Sequence, residues 1–367
     1  MTAEKAKVRL VIAGSRTGGH LYPALQLVGV LGERLAGVLV VGSGEGPEPE
    51  LVTRAGIPYA AVPAAPFRGR GPGGWLPGIL TVARGFLGAR TLLRKFGPDV
   101  VLSTGGYAGV PVGLAARSLG IPLVLFPLDV APGWAVRFLG PLAAAVAVTN
   151  EAALGRLRHR RARLVGYPVR PAIGRVDRAA ARARLGLGAD LPAVLVMGGS
   201  QGARALNDAI FGGLGRLLEA AQVVHLTGRA DYPRAEAVRA GLPPGLRDRY
   251  RAFAYLEEVE LGYGAADLVV GRAGASVLGE LPAAGRPAIL VPGDFSNQWA
   301  NAEYLARAAG VVVVRPGDLD CLVPLILALL DDPDRRAEMA ERLKGLHRPD
   351  AAEALAEFLL GVVGAGP

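Results

Sequence analysis

The chain has 367 residues, 51% of them apolar and 20% charged, with a mean hydropathy of +0.33. At ~150 residues per domain this length predicts two domains with sizeable cores, and the composition excludes a disordered chain. A formal charge of +9, from 41 basic and 32 acidic residues, favours an anionic partner: nucleic acid, a phosphate ligand or an acidic membrane surface.

Glycine is the compositional outlier. Its 52 residues are roughly 14% of the chain, against ~7% ordinarily, and they follow no three-residue period, so collagen is excluded. Cys321 stands alone, which rules out an internal disulfide framework and fits a reducing compartment. The N-terminal residues carry no charged region followed by a long apolar stretch, so no signal peptide is expected. No uninterrupted apolar run reaches the ~18 residues of a spanning helix.

In chain order, residues 8–13 form a short β-branched run ending at Gly14, and residues 21–35 read as a helix. A second strand spans 38–41. Residues 99–102 run into Ser-Thr-Gly-Gly, residues 111–119 are helical, and strands follow at 123–126 and 143–149. The pattern then repeats. A strand at 193–197 leads into Gly198-Gly199-Ser200-Gln201-Gly202 and a helix from about 203. Strands at 223–226, 268–270, 288–291 and 311–314 alternate with helices from about 276 and 297. Short, continuously apolar strands alternating with helices predict parallel sheets buried on both faces. The arginine-rich stretch 156–185, with Pro168 and Pro171, reads as a linker plus a helix. The fold class is therefore α/β: two doubly wound Rossmann-like domains, with a final amphipathic helix at 351–363 free to pack on either one.

The candidate chemistry lies in the turns after the strands. In open α/β sheets ligands bind beyond the strand C-termini, where glycines let backbone N–H groups approach an anion and a helix N-terminus adds partial positive charge. Gly14-Ser15-Arg16-Thr17-Gly18-Gly19-His20 is one such loop, though it lacks the dinucleotide-binding glycine spacing. A plain glycine turn is the alternative. His20 begins the following helix, whose dipole favours the neutral imidazole that accepts a proton; a structural histidine fits the spacing equally well. The loop Gly198–Ala203 is a second anion-type turn, and two such loops suggest a diphosphate ligand. Glu280, one turn past Gly274-Ala275-Ser276, is able to accept two ribose hydroxyls or simply to lie in solvent. Asn297, Gln298 and Asn301 open the next helix, where amides read sugar hydroxyls or cap the helix. Residues 74–98 set Trp75, Leu76, Ile79, Leu80, Phe86 and Leu87 beside Arg84, Arg90, Arg94 and Lys95. Such a face rests on an anionic bilayer or packs on a core. No metal-ligand motif, nucleophile elbow or P-loop lysine motif stands out.

Together these motifs resemble the MurG family of bacterial glycosyltransferases, over nearly the whole chain and in order. The resemblance rests on Thr17-Gly18-Gly19-His20 with Tyr22-Pro23-Ala24, Pro98–Val101, Thr104-Gly105-Gly106-Tyr107 and Gly166–Arg170. It continues through Gly198–Ala203, Arg272-Ala273-Gly274-Ala275-Ser276 with Glu280, Ala283-Ala284-Gly285 with Pro287, and Gln298 with Asn301-Ala302. It implies the GT-B architecture, in which two Rossmann-like domains face each other across a cleft. It also implies inverting, metal-independent transfer of GlcNAc from UDP-GlcNAc to the MurNAc 4-hydroxyl of lipid I, giving lipid II for peptidoglycan, with no cofactor.

On the matching positions, residues 1–163 would form an acceptor- and membrane-binding domain, with a helix at about 345–365 able to pack back on it. Residues 164–344 would bind the donor. The resemblance places Arg170, Ser200, Gln201, Leu256, Arg272, Ser276, Glu280, Asn297 and Gln298 at the donor: Arg170 and Ser200 on the diphosphate and uridine side, Leu256 against uracil, Glu280 on ribose, Asn297 and Gln298 on GlcNAc. Arg16, Thr17, Gly18, Gly19, Gly105, Gly106 and Tyr107 would meet the acceptor diphosphate. His20 is the matching base, with Asp129 the alternative. The implied location is peripheral, at the cytoplasmic face of the inner membrane, and the +9 is assigned to phosphates and lipid rather than nucleic acid.

The chain also departs from the family pattern. Ser15-Arg16 replaces a Gly-Gly pair, Phe126-Pro127-Leu128-Asp129 replaces His-Glu-Gln-Asn, Tyr167 replaces an asparagine and Val277 a threonine. Another polyprenyl or glycolipid acceptor, a UDP-sugar epimerase and a non-catalytic UDP-sugar-binding protein are the alternatives.

Overall fold

The computed structural model describes residues 7–14, 18–46, 48–65, 75–157, 159–199, 203–293 and 297–365. The chain divides into two compact units, residues 1–169 with 348–367, and residues 170–347.

The first unit is built on a seven-stranded sheet: β1 (Val8–Ala13), β2 (Leu35–Gly42), β3 (Tyr59–Ala61), β4 (Val100–Ser103), β5 (Leu123–Leu125), β6 (Ala145–Val148) and β7 (Ala162–Leu164). Its order is β3-β2-β1-β4-β5-β6-β7, and every pairing is parallel. The second unit holds β8 (Ala193–Met197), β9 (Gln222–Leu226), β10 (Tyr250–Phe253), β11 (Leu268–Gly271), β12 (Ala288–Leu290) and β13 (Val312–Val313). Its order is β10-β9-β8-β11-β12-β13, again all parallel. The expected pair of doubly wound α/β sheets is therefore present. The central strands are almost wholly buried, as strands covered on both faces must be.

Three strands lie where the sequence reading placed none. β7 falls inside the stretch read as a linker plus helix, of which only Arg178–Leu185 is helical. β3 and β10 were also missed. All three are edge strands with partly exposed residues, so they lack the continuous apolar signature of an interior strand. The first helix spans Gly18–Leu31, starting three residues before the expected 21 and giving way to a 3-10 turn at Gly32–Arg34.

The final helix, Ala351–Gly364, packs on Gly18–Leu31 within the first unit and buries Leu355, Leu359 and Val362. Their i, i+4, i+7 spacing puts them on one stripe, and each buried aliphatic side chain contributes ~1.5–3 kcal/mol. In the second unit, Leu206, Ile210, Leu214 and Leu217 of the helix Arg204–Ala220 form the equivalent stripe on the core.

Beneath that helix lies a buried polar cluster. His225 Nε2 is 3.0 Å from Asn207 Oδ1, and its Nδ1 is 3.0 Å from the Tyr250 hydroxyl. The Asn207 amide nitrogen donates to Thr227 O and to Asp231 Oδ2, so its oxygen must accept. Nε2 therefore carries the proton, and Nδ1 accepts from Tyr250. Burial drives the His225 pKa down to about 3.

Candidate functional site

In each sheet the strand order reverses once, between β1 and β4 and between β8 and β11. Loops leaving neighbouring strands in opposite directions open a crevice at such a point. In the first unit those loops begin at Gly14 and Thr104. They approach so closely that a Cβ on Gly14 would lie 1.8 Å from the Gly105 carbonyl oxygen, and one on Gly106 would lie 2.1 Å from Gly14 O. Gly14 also has φ +94°. Contact between two backbones thus demands these glycines, whatever anion the loops receive. Thr104 is 1% exposed, and among the described residues its hydroxyl has no hydrogen-bond partner. Gly18 and Gly19 open the helix beside them, and Tyr107 stands 36% exposed. Arg16 and Thr17 lie outside the described residues.

His20 sits in the first turn of that helix. Its Nε2 is 3.9 Å from Asp129 Oδ2, in the loop after β5, and both side chains are partly exposed, 30% and 22%. The residue matching the family histidine and the residue at the altered asparagine position therefore meet. Tyr167, another departure, has a local task. Pro23 has no N–H, so the Gly19 carbonyl four residues earlier lacks its helical donor. The Tyr167 hydroxyl donates to that carbonyl at 2.6 Å, next to His20.

In the second unit, Gly198 and Gly199 follow β8, while Ser200 and Gln201 lie outside the described residues. Around the end of β11 the structure gathers one cluster. Arg170 Nη1 donates to Glu257 O, beside Leu256, at 3.1 Å. Its guanidinium lies 3.7 Å from Glu260 Oε2 and 3.7 Å from Glu280 Oε1. The Tyr263 hydroxyl donates to Glu280 Oε2 at 3.0 Å, and Ser276 also bonds to this carboxylate. Burial pushes the Glu280 carboxyl up; Arg170, Tyr263 and Ser276 pull it back, and Glu260 adds to the rise.

A second cluster joins Arg272 and Gln298, whose Nε and Oε1 are 3.2 Å apart. Asn301 is fully buried and donates to Ala273 O at 3.0 Å, which ties the helix Gln298–Ala309 to the same loop. Asn297 precedes that helix without a side-chain capping bond, so the capping alternative fails for it.

Of the residues named from the sequence, Arg170, Ser276 and Glu280 fall together, as do Arg272 and Gln298. Sequence reasoning missed Tyr263, Glu260 and Gly293. Tyr263 is a buried residue in an apolar helix, and nothing in its local pattern distinguishes it from core. Gly293 reads only as a turn. Among the described residues no group of three or more His, Cys, Asp or Glu side chains gathers as a metal site.

Residues 10–148 match the glycosyltransferase family 28 N-terminal domain, and residues 193–355 the corresponding C-terminal domain. A relative from Roseiflexus sp. (strain RS-1) is 39% identical over 96% of this chain and 94% of its own length. Others from Halothermothrix orenii and Moorella thermoacetica are 34% and 37% identical, over 96% and 98% of this chain and 98% and 100% of theirs. All three carry the same transferase name. Among solved structures, Acinetobacter baumannii MurG superposes with a TM-score of 0.75 at 24% identity, covering 96% of this chain and 99% of that one. A putative UDP-N-acetylglucosamine 2-epimerase from Listeria monocytogenes superposes with a TM-score of 0.70 at 16% identity, over 95% of this chain and 94% of that one. These two show the shared GT-B fold. At the identity and coverage of its sequence relatives, the chain is a glycosyltransferase and belongs to the UDP-N-acetylglucosamine--N-acetylmuramyl-(pentapeptide) pyrophosphoryl-undecaprenol N-acetylglucosamine transferase family.

Proposed function

We propose that this chain transfers N-acetylglucosamine from UDP-N-acetylglucosamine to the MurNAc 4-hydroxyl of lipid I, with inversion and without a metal ion. The observation that carries the reading is the meeting of His20, in the helix after β1, with Asp129, in the loop after β5.

The acceptor hydroxyl is a poor nucleophile, and removing its proton during attack lowers the barrier. His20 takes that proton. The Asp129 carboxylate, acceptor-only when ionised, faces the imidazole and stabilises the imidazolium that forms. A single displacement at the anomeric carbon turns an α-linked donor into a β-linked product. The acceptor diphosphate sits on the loops of Arg16, Thr17, Gly18, Gly19, Gly105, Gly106 and Tyr107, over N–H groups at a helix N-terminus.

On the donor side, Leu256 lies against uracil and Glu280 accepts the ribose hydroxyls, its orientation supported by Tyr263 and Ser276. Arg170, with Ser200 and Gln201 of the second glycine loop, meets the charge that gathers on the leaving diphosphate. Arg170 faces two carboxylates, so the diphosphate competes with Glu260 and Glu280 for it. Asn297 and Gln298 read the sugar.

The acceptor is lipid-linked, which implies work at a membrane surface, here proposed as the cytoplasmic face. No described helix is long and apolar enough to cross a membrane. Instead the helix Trp75–Phe96 exposes Ile79, Leu80 and Leu87, at 53%, 53% and 62%. Arg84 falls between Leu80 and Leu87 on one i, i+4, i+7 stripe, the interleaving that suits an anionic bilayer. A stacked and half-exposed pair, Trp134 and Phe138, adds apolar surface on the same unit.

The test is UDP release by the full chain, given UDP-N-acetylglucosamine and a short-chain lipid I analogue. Release of UDP, a β-linked product and turnover unchanged in EDTA are expected. No UDP above background overturns the reading, and an epimerised sugar formed without acceptor would assign the chain to epimerase chemistry instead.

A further inference from the structure

We propose that Arg272 and Gly293 act through Gln298: they fix which way its amide points and so make position 298 a pure hydrogen-bond donor to the sugar of the donor substrate. The inference rests on the proposed placing of Gln298 against that sugar.

Gln298 Oε1 accepts two hydrogen bonds, from the Gly293 backbone N–H at 2.8 Å and from Arg272 Nε at 3.2 Å. Both partners are donors with nothing to accept. Flipping the amide would set its NH2 group against them and leave two donors unpaired. The oxygen therefore has one position, and the two N–H bonds of Nε2 project the other way. Donors presented to a ligand select oxygen lone pairs, which sugar hydroxyls supply.

The lock needs all three residues. A Cβ at position 293 would lie 1.4 Å from Arg272 Nη2 and 2.6 Å from its Cζ, so only glycine leaves room for the guanidinium. Arg272 itself is anchored where the second sheet's strand order reverses: its backbone N–H donates to Met197 O, at the end of β8, at 3.3 Å. Asn301, one turn beyond Gln298, holds the helix to the same loop through Ala273 O. Arg272 is on this account a positioning residue for the sugar, and its effect reaches the ligand only through the amide.

A double-mutant cycle on the full chain tests this. Binding of UDP-N-acetylglucosamine and of UDP is measured by calorimetry for the wild type, Gln298→Leu, Arg272→Met, the double variant and Gly293→Ala. Expected is an about five- to tenfold weaker affinity for UDP-N-acetylglucosamine in each single variant, the size of a lost hydrogen bond, with UDP affinity unchanged. Adding Arg272→Met to Gln298→Leu should cost nothing more. Gly293→Ala keeps the charge and only displaces the guanidinium, so it covers the case in which Arg272→Met fails to fold. If Arg272→Met weakens UDP as much as the sugar nucleotide, or still costs affinity in the Gln298→Leu background, Arg272 touches ligand itself and the inference is overturned. If Gln298→Leu leaves both affinities unchanged, the sugar-site reading falls and the inference with it.

Discussion

His20 Nε2 and Asp129 Oδ2 stand 3.9 Å apart, although they come from the turns after two strands that are not neighbours in the sheet. This makes the two candidate bases one unit. As a general base His20 contributes ~10²–10⁴ in rate, so His20→Ala should lower kcat by that factor. Asp129→Asn keeps the shape and removes the charge, and should cost about tenfold; the double variant should be no worse than His20→Ala. UDP release at saturating donor and acceptor measures all three. Full loss in Asp129→Asn with activity kept in His20→Ala would make Asp129 the base.

Glu280 sets function against stability. Its carboxyl is raised by burial above the value it has in an unfolded chain, so the folded state favours the protonated form, and the associated stability is lost as pH rises through the folded pKa. At pH 7.5 Glu280→Gln should therefore unfold in urea no earlier than the wild type. If Glu280 accepts the ribose hydroxyls as proposed, the variant replaces an acceptor oxygen by an NH2 group and should weaken UDP binding by about tenfold or more. It should also erase discrimination against 2′-deoxy-UDP. Equal affinity of the wild type for UDP and 2′-deoxy-UDP would remove Glu280 from the ribose 2′-hydroxyl.

Gly14→Ala should destabilise the first unit by about 3 kcal/mol or more, since it joins a positive φ to a Cβ placed 1.8 Å from a carbonyl oxygen. Gly29→Ala, at a helical position where a Cβ meets nothing within 4 Å, should be neutral or slightly stabilising. Urea unfolding compares the two, and similar midpoints would contradict the close loop packing.

His225 gives a pH signature. Its folded pKa is about 3 and its ordinary value 6.5, so below pH 6.5 the unfolded chain takes up a proton that the folded chain refuses. Stability should fall between pH 6.5 and 5, with a slope approaching about 1.4 kcal/mol per pH unit. His225→Gln should flatten that slope. It should also cost ~1–3 kcal/mol at pH 7, because Tyr250 and Asn207 lose their partner. An unchanged slope in the variant would assign it to other groups.

Leu80→Glu with Leu87→Glu should cut sedimentation with anionic vesicles severalfold and leave UDP binding intact, because both side chains are exposed on the helix Trp75–Phe96. Undiminished vesicle binding would place the membrane contact elsewhere.

Interior strands such as Ala193–Met197, and the glycine turns that follow them, were legible in the sequence because both signals are local. A run buried on two faces is apolar at every position, and a strand-to-helix turn needs glycine or proline where it falls. The same logic explains the failures: β3, β7 and β10 are short edge strands, partly in solvent, and β7 and β10 carry an arginine among their apolar residues. The family was legible too, because its motifs are short contiguous runs in fixed order.

The pairings were not. His20 with Asp129, Tyr167 with Gly19, Arg170 with Glu280 and Tyr263, and Gln298 with Arg272 and Gly293 each join residues from separate turns. Which turns meet depends on strand order, and that is set by how whole helices and strands pack. The sequence by itself determined the fold class, the glycine turns that end the strands and the family. Only the tertiary structure, by fixing the strand order and the packing of helices on each sheet, decided which side chains meet.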